Sequence, residues 1–360
     1  MQQTTHRIFG LDLMRTMAIV IVVLKHSNIL VGAKFTIPIH GVDLFFVLSG
    51  YLIGNNFLQK TLYKQDFHIV DILNFLKQRW LRTLPNYFLF LIINILLIYF
   101  GLIKGTLNKY LITYFVFFQN FYKPFDFLFW ESWSLAVEEW FYLFFPVFIL
   151  FFYKIIKNNR SIRLAYAITT ILFLIIPLIY RLNINPDLDY DLFTRKVVLA
   201  RFDTIGFGLL AAYIHNIYPH FWNRFRNFQL FSGILLLIFL KSYYLTQNHT
   251  YTCLRLSFIG LGITMLLPAL ESLKNETIPL KPIRFISKIS YSIYLTHIPI
   301  SYILSGIFET KNFLIYILYW FITLLLSTII YRWFESPFMR LRKKIRFDYK
   351  NNKISLVKVF

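Results

Sequence analysis

Cysteine is almost missing from this sequence: the 360 residues contain one, Cys253. That excludes an internal disulfide and a cysteine-based zinc site. Acidic residues are scarce too, 17 Asp and Glu against 38 Lys and Arg. Charged residues of both signs make up only 15% of the chain, where a soluble domain carries about 25%. There is no repeat of solenoid length, no low-complexity segment and no stretch with the composition of a soluble domain. A disordered chain, a secreted disulfide scaffold and an ordinary cytosolic enzyme are thereby excluded.

Apolar residues are abundant. They make up 57% of the chain, with 41 Phe, 24 Tyr and 7 Trp, and the mean hydropathy is +0.56. This is the composition of a polytopic membrane protein. The net charge of +21 would suit a nucleic-acid partner only if the cations gathered on one solvated face. They lie instead in short clusters between apolar stretches, so no nucleic acid is expected.

A membrane helix needs about 20 mostly apolar residues. Ten segments qualify as candidates: 8–31, 41–58, 81–103, 132–153, 163–180, 198–217, 228–247, 252–270, 288–308 and 312–334. The run 110–122 is short and reads as an interfacial or re-entrant piece. With the N-terminus cytoplasmic, 25 cations fall in inside loops and tails and 8 in outside loops. The positive-inside rule then places both termini in the cytoplasm. The first span is no cleaved signal peptide, because Arg15 and Lys25 interrupt it. The expected fold is therefore all-α and polytopic, with a membrane domain over 8–335 and a basic cytoplasmic tail over 336–360 that would adhere to anionic lipid heads. The expected location is the cell membrane.

Ionisable residues inside spans are costly and mark function. Arg15 and His26 are eleven residues apart, close to three helical turns, so they share a face about 16 Å apart along the axis. Asp12 is one turn before Arg15 and can pair with it. Asp43 stands where the N-cap of the second span belongs, and Ser49-Gly50 suggests close helix packing. Glu138 and Glu139 lie about two turns below the outer surface, at the depth expected for His26. They point about 100° apart, so only one can face a given partner. Arg201 and Asp203 read as a pair in the sixth span. Tyr291, Tyr294 and His297 follow one another around one face of the ninth. Arg79, Arg82, Arg284, Lys288 and Arg332 crowd the inner ends of spans, where they fix topology or capture a phosphorylated ligand.

Together these residues resemble the acyltransferase family 3 membrane proteins, which typically O-acylate bacterial cell-surface carbohydrates. The likeness runs nearly end to end. It includes Leu11-Asp12 with the Arg-x10-His signature at Arg15 and His26, and the run Gly41-Val42-Asp43-Leu44-Phe45-Phe46-Val47-Leu48-Ser49-Gly50-Tyr51. Arg79 with Arg82, Pro85 and Tyr87 follows, then Gln119-Asn120 and Trp133-Ser134-Leu135-Ala136-Val137-Glu138-Glu139. Arg201-Phe202-Asp203, Ser290-Tyr291 through His297-Ile298-Pro299, and Glu335-Ser336-Pro337 with Arg340 complete it. Leu13 and Thr296 depart from the family's usual residues. Many relatives carry a fused extracytoplasmic SGNH domain; this chain is similar to the stand-alone form.

The resemblance implies an acyl-CoA donor, usually acetyl-CoA, with no bound cofactor or metal, and a saccharide hydroxyl as acceptor. Arg15, Arg79 and Arg82 would hold the donor on the cytoplasmic side. His26 would be the general base, oriented by Glu138 or Glu139 as in a triad. Arg201 or Tyr294 would stabilise the oxyanion. A covalent acyl-enzyme on His26 or Ser49 is the alternative route. Asp43, Ser49, Asp203, Tyr291 and His297 join the candidate substrate-binding set. The acceptor sugar, the acyl chain and the oligomeric state stay open. The rival reading is a transporter or flippase of a lipid-linked or acylated substrate, which would predict inverted repeats; no such halves are evident.

Overall fold

A computed structural model of the chain describes residues 8–31, 39–62, 67–125, 128–156, 161–242, 249–273, 280–308, 312–350 and 353–358. Arg7, Lys34, Lys64, Lys157, Arg160, Lys274 and Lys311, all counted in the topology argument, lie outside these residues, as do 243–247 of the seventh segment.

A helix stands at each of the ten apolar segments. In chain order the helices are α1 (Phe9–His26), α2 (Asn28–Val31), α3 (Gly41–Thr61), α4 (Ile69–Tyr99), α5 (Leu111–Phe115), α6 (Ser132–Ile156) and α7 (Ser161–Leu182). They continue with α8 (Phe202–Ile217), α9 (Pro219–Arg224), α10 (Arg226–Ser242), α11 (His249–Glu271), α12 (Leu280–Ile307), α13 (Phe313–Ile330) and α14 (Ser336–Lys344). Among the described residues six runs are long and apolar enough to cross a bilayer by length and composition alone: α3, α4, α6, α7, α11, and α13 continuing through Arg342. The chain is a multi-pass membrane protein. The other long helices deviate for identifiable reasons. α1 carries Asp12, Arg15 and Lys25, α8 and α10 have 16 and 17 residues, and α12 carries a stripe of Ser, Tyr, Thr and His. Lipid-facing surface is legible on α7, where Ile171, Ile175 and Ile179 are exposed at helical spacing.

The contacts divide the chain into two compact units. One comprises residues 1–25, 35–63 and 170–290; the other comprises 26–34, 64–169 and 291–360. In the first, α3 and α8 pack backbone to backbone. A Cβ on Gly50 would lie 2.1 Å from the Ile205 carbonyl oxygen, and one on Gly208 2.2 Å from that of Val47. Only glycine permits this approach, as the Ser49-Gly50 pair suggested. The core beside it joins Leu44, Val47, Leu48 and Tyr51 of α3 to Ala211 and Ala212 of α8 and Ile259, Ile263 and Leu267 of α11.

In the second unit, α4 packs on α6 and on α14. The run 110–122 folds as the short helix α5 and an irregular turn held by polar contacts. Tyr87 donates to the Tyr114 carbonyl (2.7 Å), Trp140 Nε1 to that of Phe117 (2.9 Å) and Asn120 to that of Trp133 (3.0 Å). These contacts satisfy carbonyls that a helix would otherwise occupy. After α13 one wide π-helical turn, Tyr331–Glu335, leads into α14. Pro337, which lacks a backbone N–H, lies two residues beyond that turn. The tail adds the only strands among the described residues, an antiparallel hairpin of β1 (Ile345–Lys350) and β2 (Lys353–Lys358). Asn74 on α4 pins it, exchanging two 2.8 Å bonds with the Phe347 backbone.

Candidate active site

The second unit brings His26 and His297 together. His26 is the last residue of α1, and His297 is fully buried on α12. Their rings are 5.0 Å apart between centroids, and His297 Nε2 is 3.1 Å from His26 Nδ1. The other nitrogen of His297, Nδ1, is 2.6 Å from the Tyr294 carbonyl oxygen. A carbonyl only accepts, so Nδ1 carries the proton. The neutral ring then accepts at Nε2, and His26 donates from Nδ1. That leaves the lone pair of His26 on Nε2, the state a general base requires. The C-terminus of α1 also places the negative end of a helix dipole beside the imidazole, which stabilises the cation formed on proton uptake.

One turn back on α12, the Tyr294 hydroxyl is 2.6 Å from Ser134 Oγ and donates to the Glu131 carbonyl at 3.2 Å. A further turn back, Tyr291 donates to the Thr83 carbonyl at 2.8 Å. Glu139 accepts from Thr83 Oγ1 at 2.5 Å, and Glu138 accepts from Tyr142 at 2.9 Å. The two acids therefore sit among Thr83, Tyr142 and Tyr291, whereas His297 meets the His26 ring. Tyr291 and His297 are six residues apart, about 9 Å along the helix. Arg79 has Tyr142, Arg82, Arg342 and Glu138 as electrostatic neighbours, and its guanidinium lies 5.6 Å over the Phe75 ring.

The first unit holds Arg15, Asp43, Ser49, Arg201 and Asp203. Arg15 is 3.7 Å from Asp12, and Ser287 donates to the same carboxylate at 2.7 Å. The expected one-turn pair is present, with α12 supplying its third member. Asp43 differs from the N-cap expectation: the cap position is His40, and Asp43 lies in the first turn of α3, buried. Its carboxylate accepts from Arg201 Nη2. The expected Arg201–Asp203 pair is also corrected. Asp203 accepts from Arg181 Nη2 at 2.7 Å and from Ser257 Oγ at 2.6 Å. Residues two apart at the start of a helix point about 200° apart, so Arg201 and Asp203 face opposite sides. Ser49 is half-buried on α3.

Several residues carry contacts that the sequence alone does not assign to them, Glu335 among them although it stands in the Glu335-Ser336-Pro337 motif. Arg181, one of the eight cations of the outside loops, is fully buried and bonded to Asp203, Ser257 and the Ala200 carbonyl. Arg342, assigned to the tail, approaches Arg79 and Arg82. Glu335 is buried and accepts from Ser292 Oγ (2.6 Å) and Asn86 Nδ2 (3.1 Å). Glu131 is 1% exposed, and neither carboxyl oxygen has a hydrogen-bond partner among the described residues. Acids flanking an apolar run were the available signal for the last two. Among the described residues no three His, Cys, Asp or Glu side chains group as a metal site would require.

Comparison with known proteins decides the family. A profile described as an acyltransferase domain matches residues 8–332. The chain belongs to this family. An O-acetyltransferase OatA of Staphylococcus aureus (strain NCTC 8325) is 27% identical over 373 residues, covering 93% of this chain and 57% of that protein. A peptidoglycan O-acetyltransferase OatA of Listeria monocytogenes is 26% identical over 359 residues, covering 91% and 55%. A putative O-acetyltransferase of Staphylococcus aureus (strain COL) is 25% identical over 360 residues, covering 92% and 57%. The chain thus spans little more than half the length of these relatives. No solved structure matches it.

Proposed function

We propose that this acyltransferase-family chain is a membrane O-acyltransferase. It would move an acyl group, in the first instance acetyl, from cytoplasmic acyl-CoA to a hydroxyl of a cell-surface or lipid-linked saccharide. The observation that supports the chemistry is the His26–His297 hydrogen bond. Its donor–acceptor order directs the lone pair to His26 Nε2. That nitrogen takes the proton as the acceptor oxygen attacks the thioester carbonyl, and returns it to the departing thiolate, so no net proton is produced. His297 holds the ring in the required tautomer. This is the role first expected of Glu138 or Glu139, and the geometry favours the histidine for it.

Arg79 and Arg82, joined by Arg342, suit the phosphates of the donor, because guanidinium forks bind phosphate oxygens in pairs. Glu138 and Glu139 balance these cations. Arg15 keeps a donor-side role from its place eleven residues before His26 on α1. Tyr294, whose hydroxyl hydrogen is turned to the Glu131 carbonyl, would have to release that bond to serve the oxyanion, and Tyr291 is assigned to holding α12 against α4. Ten spans with both termini cytoplasmic, the reading the loop charges support, would put the donor and acceptor on opposite faces. The named relatives act on peptidoglycan or carry the O-acetyltransferase name, which supports a saccharide acceptor in the wall or envelope.

The test is His26→Ala in a deletion strain, with alkali-released acetate measured on surface glycans. The variant should accumulate in the membrane and restore no O-acetyl groups; restoration to wild-type levels refutes the assignment.

A further inference from the structure

The first unit contains a buried guanidinium two of whose nitrogens meet no acceptor among the described residues. Arg201, at the start of α8, is 0% exposed. It donates to Asp43 through Nη2, while Nε and Nη1 have no partner among the described residues. The guanidinium lies 5.4 Å over the Phe46 ring, which answers its charge on one face but accepts none of its N–H groups. Leaving such donors unmet in a low-dielectric interior is costly. The hydroxyl of Tyr190 is buried and equally unpartnered, with Arg201 and Arg255 as electrostatic neighbours.

Other cations converge on the same place. Lys25 Nζ lies 2.7 Å from His40 Nδ1. Burial, followed by the charge of Arg195, pushes His40 down to about 3. The ring is therefore neutral and accepts from the lysine, so the partner seen at this ammonium carries no charge. His40 also has Arg201 and Asp43 as electrostatic neighbours. A single π-helical turn, Asp191–Arg195, places Arg195 and Lys196 on one carboxylate, that of Asp191. That carboxylate is 45% exposed above the half-buried Arg195 and the buried Lys196. Lys25, Arg195, Lys196 and Arg201 are thus gathered around Asp43 and Asp191, with Asp189 a further electrostatic neighbour of Lys196.

We propose that this cluster is an anion site, and that its ligand is a carboxylate or phosphate on the saccharide acceptor. The inference rests on the transferase reading above and names its substrate class: an acidic saccharide. Lys25 belongs to the outer half of α1, and Arg195 and Lys196 to a loop placed outside by the charge count, away from the cytoplasmic donor. The acidic group enters beside half-buried Asp191, where Lys25 and Arg195 meet it first. Its oxygens then supply the acceptors that Arg201 Nε, Arg201 Nη1 and the Tyr190 hydroxyl lack. A planar oxyanion meets a guanidinium edge through two parallel hydrogen bonds, a match that a neutral hydroxyl does not make.

The experiment uses the purified full chain in phosphatidylcholine nanodiscs with no acyl donor. Glucuronic acid and its neutral methyl ester are titrated by saturation-transfer NMR. The acid should bind at least about tenfold more tightly than the ester, as loss of a charge-assisted pair implies. Lys25→Gln and Tyr190→Phe should each weaken the acid about three- to tenfold without moving the thermal midpoint. Equal binding of acid and ester, no binding of either, or indifference to both substitutions overturns the site. A second arm adds phosphatidylglycerol to the nanodiscs. Unchanged glucuronate binding supports the saccharide assignment, and full displacement gives the site to a lipid headgroup and overturns it. Because no donor is present, this result is independent of whether His26→Ala abolishes transfer.

Discussion

The hydrogen bond between His297 and His26 is the contact on which the proposed chemistry depends, and replacing His297 isolates it. His297→Leu removes the acceptor at 3.1 Å and leaves the His26 Nδ1–H facing an apolar side chain. An unmet buried donor costs about 1–3 kcal/mol. The ring escapes that cost by moving its proton to Nε2, the tautomer that cannot act as base. At about 1.4 kcal/mol per factor of ten, the transfer rate should fall about five- to 150-fold, with little change in KM for the donor. His297→Gln keeps an acceptor oxygen for His26 and an N–H for the Tyr294 carbonyl, and should stay within about tenfold of wild type. His26→Ala should lose about 10²–10⁴-fold. The assay is transfer from labelled acetyl-CoA in membrane vesicles, read as alkali-labile acetate per unit of chain. His297 acts through His26, so the double variant His26→Ala/His297→Leu should be no slower than His26→Ala alone. A double variant slower by the full product of the two losses, or Leu and Gln variants of equal rate, would refute the tautomer argument.

Other substitutions test the frame that carries this pair. Gly208→Ala sets a Cβ 2.2 Å from the Val47 carbonyl oxygen; the α3–α8 packing should weaken by about 1–3 kcal/mol or more, seen as a lower melting midpoint in detergent. Asp203→Leu strands the fully buried Arg181 guanidinium and should cost about 3–5 kcal/mol; Arg181→Leu/Asp203→Leu should recover much of that, and an equally unstable double variant would contradict the pairing. Asn74→Ala removes both bonds to Phe347, so limited proteolysis should cut the tail faster while acyl transfer stays within about twofold of wild type.

Much of the architecture was legible in the sequence because it depends on local quantities. Apolar run length marked the ten segments where the long helices stand, though not the short α9 and α14, and i,i+3 spacing found the Asp12–Arg15 pair. Ser49-Gly50 pointed to the close approach of α3. Partner choice was legible only where both members share a helix. Arg201 and Asp203 looked like a pair by proximity in the chain, but their side chains diverge around α8, and each bonds a residue on another element, Asp43 and Arg181. Glu138 and Glu139 were matched to His26 by estimated depth. Small errors in where a span begins shift such an estimate by a turn or more, and the packing of α6 against α4 puts Glu139 on Thr83.

The sequence by itself determined that this chain crosses a membrane, where its ten long helices stand, and which few polar residues stand inside the apolar runs. Composition, run length and helical periodicity suffice for that, because a bilayer leaves the backbone few alternatives to the helix. Tertiary structure alone decided which of those residues meet. His26 and His297 are 271 positions apart and Asp43 and Arg201 are 158 apart, distances over which no local rule acts. Only the packing of α12 and α8 sets those neighbours, and with them the nitrogen of His26 that carries the lone pair.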